Sequence, residues 1–187
     1  MAPAFQPLAV GIVLFCNICI FGPVTGGHFN PAVSLGVFIK DGAENYSKNI
    51  VYLLSMVFSQ LLGASAGVLL TFMVQHTDQK NGTNLEVNNA GQPRLTRVFP
   101  GIAILCPNNA DANPDDKCDG RGMYHSFFIA EVVGTFIFVN IILSIKFQNG
   151  AKDLVVNALC IGLTLMLAVS LTAGISGGCI NPAVGLI

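Results

Sequence analysis

Charged residues are scarce in this sequence. Asp, Glu, Lys and Arg make up 10% of its 187 residues, against about a quarter of a typical soluble domain. The net charge of −1 also lacks the basic excess that a nucleic-acid partner would require. The charges are clustered, so that the stretches 1–39, 49–75, 123–145 and 154–187 contain a single charged side chain, Glu131. A soluble globular fold is therefore not expected.

The six cysteines predict neither a metal site nor a disulfide framework. Four lie in apolar segments, where cysteine usually packs as a small residue: Cys16, Cys19, Cys160 and Cys179. The remaining two, Cys106 and Cys118, lie in a polar segment and would pair only if that segment faces an oxidising compartment. The sequence also contains no nucleophile–base set, so we expect no enzyme, no metal and no cofactor.

Long apolar runs are what the sequence does contain. A membrane-spanning helix needs about 20 apolar residues, and four segments meet this requirement, at about 5–24, 49–75, 124–146 and 154–174. The first is expected to end at Gly22-Pro23. Residues 76–123 form a long polar loop that includes a glycosylation sequon at Asn81. The chain is predicted to form one all-α membrane domain over 1–187.

A short motif occurs twice, as GGHFNPAV at 26–33 and GGCINPAV at 177–184. Asn is a favoured helix N-cap and Pro suits the first helical position. The triplets Asn30-Pro31-Ala32 and Asn181-Pro182-Ala183 therefore predict helix starts. The helices that follow, at 31–39 and 182–187, are too short to cross a bilayer. Because the preceding spans are the first and fourth of four, the two units run in opposite directions, as in many channels and transporters.

Each motif follows a glycine-rich approach that cannot be helical throughout. Irregular backbone is tolerated inside a membrane only where it is buried in protein or lines a wet cavity. We therefore expect a pore lined by backbone carbonyls, at Gly26, Gly27, His28, Gly177 and Cys179. The positive ends of two facing half-helices would disfavour cations and admit neutral solutes. An ion channel or coupled transporter is disfavoured, because the spans contain no ring of acidic residues.

The sequence resembles the aquaporin, or major intrinsic protein, family over nearly its whole length. The resemblance is carried by Gly27–Val33, Gly178–Ala183, Gln60-x-x-Gly63-Ala64 and Glu131-x-x-x-Thr135. It implies an aquaporin-like inverted repeat with two re-entrant half-helices, a homotetramer in the lipid bilayer of a plasma or vacuolar-type membrane, and Glu131 and Gln60 as supports of the re-entrant loops. It also implies that the chain lacks the family's first and sixth spanning helices.

The resemblance further implies a selectivity filter at four positions: Val10, Val169, Gly178 and Val184. Most members of the family have an arginine at the last of these. A filter without charge or aromatic rings should be wide and apolar, and should pass water and small neutral solutes such as glycerol, urea and ammonia. The alternative is a non-conducting, truncated subunit that modulates assembly or acts at a junction.

Overall fold

A computed structural model describes residues 5–41, 46–80, 123–147 and 153–186, and these residues form helices and short connections without a strand. The helices are α1 Gln6–Thr25, α2 Pro31–Asp41, α3 Tyr46–Lys80, α4 Met123–Phe147, α5 Leu154–Ser176 and α6 Pro182–Gly185. Parts of α1, α3, α4 and α5 are long and apolar enough to cross a membrane. The chain is an all-α, multi-pass integral membrane protein. The predicted sites at Asn81, Cys106 and Cys118 lie outside the described residues.

The limits of two helices differ from those that the sequence pattern predicts. α1 continues through Pro23 to Thr25, because a proline in the last turn removes only one backbone hydrogen bond before the helix ends. α3 begins at Tyr46 and continues to Lys80, beyond both limits of the predicted span at 49–75. Hydropathy identifies the part of a helix that is buried in lipid. The polar residues 76–80 contain no Gly or Pro, so nothing ends the helix at the membrane surface.

The arrangement repeats itself around α1 and α5, which pack against each other. They approach most closely at Gly11 and Gly162, which occupy the same position relative to Asn30 and Asn181. A Cβ atom added to Gly162 would lie 2.6 Å from the carbonyl oxygen of Gly11, and one added to Gly11 would lie 2.7 Å from that of Gly162. The two backbones can cross at this distance only because neither residue has a side chain.

The buried core lies where the two repeats meet. Ile180 and Ala158 are fully buried, and Val33 and Phe138 are almost so. α2 packs against α3 and α4, α5 packs against α4, and α6 packs against α2 and α3. Outside this core the helices expose large apolar side chains, such as Phe58 of α3 at 63%. Such exposure suits a surface that faces lipid rather than water.

The sides of the membrane follow from the helix order. We call one side of the membrane the near side. It is the side on which α2 and α4 end and on which α3 and α5 begin. α1 also ends toward the near side, and its re-entrant segment turns back into the membrane from there. α3 ends and α4 begins on the opposite, far side, from which α5 leads into the second re-entrant segment.

The close crossing of α1 and α5 makes a stability prediction. Gly162→Ala should place a methyl group against the backbone of Gly11 and reduce the free energy of unfolding by about 1–3 kcal/mol. The measurement is the thermal unfolding midpoint of the detergent-solubilised protein. Gly174→Ala is the matched control in the same helix, because a Cβ there meets no atom within 4 Å. An equal midpoint for the two variants would contradict the predicted close contact.

Candidate functional site

The two re-entrant segments have the same backbone conformation. Gly26 and Gly177 end α1 and α5 with φ angles of 79° and 92°, and the glycines that follow them also have positive φ. The residue before each motif asparagine is left-handed as well, with φ of 47° at Phe29 and 48° at Ile180. This conformation is unfavourable for a β-branched residue such as isoleucine. The repeat in the sequence is therefore a repeat in structure.

Each motif asparagine caps the half-helix that it starts. The Oδ1 atom of Asn30 accepts the backbone N–H of Ala32 at 2.9 Å, and that of Asn181 accepts the N–H of Ala183 at 3.0 Å. These bonds satisfy backbone donors that a helix start leaves unpaired. The prolines in between have no N–H that would need a partner.

The same two asparagines also join the repeats to each other. The Nδ2 atom of Asn30 donates to the carbonyl oxygen of Ile180 at 2.9 Å. In return, the Nδ2 atom of Asn181 donates to the carbonyl oxygen of Phe29 at 3.0 Å. The two half-helix N-termini therefore meet, and each is fixed by a carbonyl of the other segment. Since an amide nitrogen carries two N–H groups, each asparagine has a second N–H that these bonds do not use.

Glu131 of α4 supports the second re-entrant segment. Its carboxylate accepts the backbone N–H of Cys179 at 3.0 Å and that of Ile180 at 2.8 Å. The hydroxyl of Ser176 donates to the same carboxylate. One side chain thus accepts from two backbone donors of a non-helical segment, and from the hydroxyl at the end of α5, within the membrane, where water is not available to do so.

A second group of side chains holds the first re-entrant segment. His28 is buried, with Nδ1 3.3 Å from the Oγ of Ser34 in α2 and Nε2 3.2 Å from the Nζ of Lys146 in α4. The Nε2 of Gln60 in α3 also donates to the Oγ of Ser34, at 2.9 Å. These contacts connect the segment to three different helices. We call the four residues, His28, Ser34, Gln60 and Lys146, the near-side network.

A cavity of about 320 Å³ opens beside the first re-entrant segment. Gly26, Gly27 and His28 line it, together with apolar side chains of α1, α4 and α5 and with Lys146. Gly177 and Cys179, the other residues expected to provide pore carbonyls, are not among its lining residues. Irregular backbone thus borders an open space in the membrane, which is the situation in which such backbone is tolerated.

The structure brings two of the four proposed filter positions together. A Cβ atom added to Gly178 would lie 3.1 Å from the carbonyl oxygen of Val169 and 3.2 Å from its Cγ1. Gly178 and Val169 are buried, whereas Val10 and Val184 are 41% and 38% exposed. None of the four side chains carries a charge. In the part of the chain that the structure describes, no three His, Cys, Asp or Glu residues converge as a metal site.

Comparison with known proteins decides the family. The family model described as Major intrinsic protein matches residues 4–104 and 123–187. The chain belongs to this family. Members of the major intrinsic protein family are channels rather than enzymes, so the family also confirms the expectation that the chain is not an enzyme.

The individual relatives are named either as aquaporins or as glycerol uptake facilitators. Aquaporin AqpM of Methanothermobacter marburgensis is 26% identical over 94% of this chain and 58% of its own length. Aquaporin Z of Photorhabdus laumondii is 27% identical over 94% of this chain and 64% of its own. Glycerol uptake facilitator protein-like 6 of Lactiplantibacillus plantarum is 24% identical over 94% of this chain and 65% of its own length. The chain thus spans about three-fifths of the length of the relatives it matches.

The near-side network contains two residues that sequence reasoning did not select as site residues. Ser34 lies one turn after Asn30 in α2, and that spacing could have indicated that it shares a helix face with the motif. Lys146 lies at the end of an apolar run and, from the sequence alone, is a flanking charge. No local pattern indicates its contact with His28, because the two are 118 positions apart.

The support by Glu131 gives a prediction for backbone protection. Glu131→Ala removes the carboxylate that accepts the Cys179 and Ile180 amides, and the loss of an acceptor for a buried donor costs about 1–3 kcal/mol. We expect hydrogen exchange in a peptide covering 177–181 to become at least about tenfold faster. Asn140→Ala in the same helix is the control, since Asn140 is exposed and bonds only within α4. Unchanged protection in Glu131→Ala would contradict the support role.

Proposed function

We propose that this chain forms a passive membrane channel for water and small neutral solutes. The observation that carries the proposal is the reciprocal pair of bonds between Asn30 and Ile180 and between Asn181 and Phe29. It fixes two non-helical segments against each other in the membrane, next to a cavity. Backbone of this kind is stable in lipid where it lines a water-filled path, and discontinuous helices that meet inside the membrane are typical of transport sites.

The chemistry of the path favours neutral, hydrogen-bonding solutes. The cavity walls are mostly apolar, with Ile18, Val33 and Phe138 among them, and they offer few hydrogen bonds to replace a solute's hydration. The carbonyls of the re-entrant segments and the remaining N–H groups of the two asparagines supply hydrogen bonds at the point where the repeats meet. Water and small polyols or amides can use both donors and acceptors of this kind.

The filter supports a broad rather than a water-specific selectivity. Val10, Val169, Gly178 and Val184 are small or medium-sized and uncharged, so they would leave a wide opening. The relatives include proteins named for water and proteins named for glycerol uptake. We therefore propose glycerol, urea and ammonia as solutes besides water. By the same resemblance we propose a homotetramer with one pore in each subunit, in a plasma or vacuolar-type membrane.

The alternative is a subunit that does not conduct and that modulates assembly or acts at a junction. The chain spans about three-fifths of the length of its relatives, so their names alone do not establish that it conducts. Permeability of vesicles that contain the chain separates the two functions.

Reconstituted chain should make vesicles permeable to water and glycerol. Under a sucrose gradient we expect shrinkage faster than in protein-free vesicles, and under a glycerol gradient fast shrinkage followed by fast re-swelling. Stopped-flow light scattering measures both rates. Circular dichroism of the same vesicles verifies that the chain is helical. Helical protein with shrinkage and re-swelling rates equal to those of protein-free vesicles would reject the channel and favour the non-conducting subunit.

A single substitution at the filter should change the selectivity. Val184→Arg introduces a long, charged side chain at a filter position, so glycerol and urea fluxes should fall by about tenfold or more while water flux falls less. The measured quantity is the ratio of glycerol to water permeability. Leu186→Arg is a control beside it, since Leu186 is 77% exposed and is not a filter position. An unchanged ratio in Val184→Arg would contradict the assigned filter.

A further inference from the structure

Lys146 is the one charged side chain among the residues that line the cavity. It lies in the last turn of α4, at the near-side end of the cavity. Its Nζ atom is 3.2 Å from Nε2 of His28 and 5.9 Å from the ring centroid of Phe147. A Cβ atom added to Gly26 would lie 3.9 Å from the same Nζ atom. The ammonium group therefore lies against the re-entrant segment at the mouth of the cavity, although the Lys146 residue as a whole is exposed.

The hydrogen bonds of the near-side network fix the proton on His28. A lysine ammonium can only donate, so Nε2 of His28 must accept and the proton must be on Nδ1. Nδ1 then donates to Ser34 Oγ at 3.3 Å, where Gln60 also donates. The imidazole is neutral in this arrangement. The positive charge of the network is thus located on Lys146 alone.

No acidic residue lies beside Lys146 among the described residues that line the cavity. Lys146 forms no ion pair there, and its hydrogen-bond partner is the neutral ring of His28. Asp41, at the end of α2, acts on it only electrostatically. At the far-side filter, Val10, Val169, Gly178 and Val184 contribute no charge. Among the described residues, the formal charge that borders the path is therefore that of Lys146.

We propose that Lys146 determines the charge selectivity of the pore by excluding cationic solutes at its near-side mouth. This inference rests on the proposed channel function and adds a specificity-determining residue to it. Apolar walls screen a charge poorly, so an ammonium at the edge of the cavity raises the energy of any cation that enters. A neutral solute of the same size does not encounter this barrier. The wide, uncharged filter would then pass neutral solutes, while Lys146 prevents leakage of cations.

Urea and guanidinium are the matched probes for this inference, because both are small and planar and differ mainly in charge. The measurement is uptake of each radiolabelled solute, at low millimolar concentration, into vesicles that contain the full chain, with thiocyanate as permeant counter-anion. Lys146→Gln removes the charge but retains an N–H that can donate to His28. We expect it to raise the guanidinium-to-urea uptake ratio by about tenfold or more, and the ratio corrects for any change in the number of open pores. Lys146→Met is a second uncharged variant with the same expected change.

Two further variants separate charge from packing. Lys146→Arg keeps the charge and should keep the ratio close to that of the unaltered chain. Lys40→Gln removes an exposed lysine that lies outside the cavity lining and should also leave the ratio unchanged.

Three results would overturn the inference. An unchanged ratio in Lys146→Gln, with urea uptake intact, would reject the role of Lys146 and leave the channel standing. An equal rise of the ratio in Lys146→Arg would show that packing, rather than charge, controls entry. Urea and water rates equal to those of protein-free vesicles in the unaltered chain would reject the proposed channel, and this inference with it.

Discussion

The reciprocal hydrogen bonds of Asn30 and Asn181 are the interaction on which the rest of the site depends. Each amide oxygen caps its own half-helix, and each amide nitrogen donates to a carbonyl of the other re-entrant segment. Neither segment can satisfy its backbone alone, and unpaired backbone groups in a bilayer cost several kcal/mol, on the order of a whole helix cap or more. This mutual requirement explains in physical terms why the motif occurs twice in one chain.

The junction requires an unfavourable backbone conformation, because Phe29 and Ile180, the residues before the two asparagines, are left-handed. A non-glycine residue in this region is unfavourable by about 1–3 kcal/mol and persists only where its surroundings determine its conformation. At Ile180 the surroundings do so, because Glu131 accepts its N–H, Asn30 donates to its carbonyl and its side chain is fully buried. At Phe29 the carbonyl is held by Asn181, and the preceding His28 is held by the near-side network. The same backbone is therefore supported by different chemistry in the two repeats.

Much of this fold could be predicted from the sequence, because the membrane imposes simple rules on length and polarity. The apolar runs predicted helices that overlap α1, α3, α4 and α5, and the Asn-Pro pairs predicted the starts of α2 and α6. The end of α3 at Lys80 was not predictable from hydropathy, since polar residues can continue a helix beyond the lipid. The crossing at Gly11 and Gly162 and the contact of His28 with Lys146 join distant parts of the chain. No local pattern specifies such pairs, although the matched positions of the two glycines in the repeat are visible afterwards.

The differences between the repeats indicate where selectivity resides. Features that both repeats share, such as the caps, the positive φ angles and the close glycines, maintain the junction and act alike on a solute from either side. Lys146 has no such symmetry, because it places a positive charge at the near-side end of the cavity, whereas the proposed filter positions on the far side are uncharged. A path that is symmetric in backbone but charged at one mouth admits neutral solutes in both directions and opposes cations where they meet that mouth. In the proposed channel the repeat would thus provide both the path and the half-helix ends that disfavour cations, and Lys146, which breaks the repeat, would add a charge barrier at one mouth.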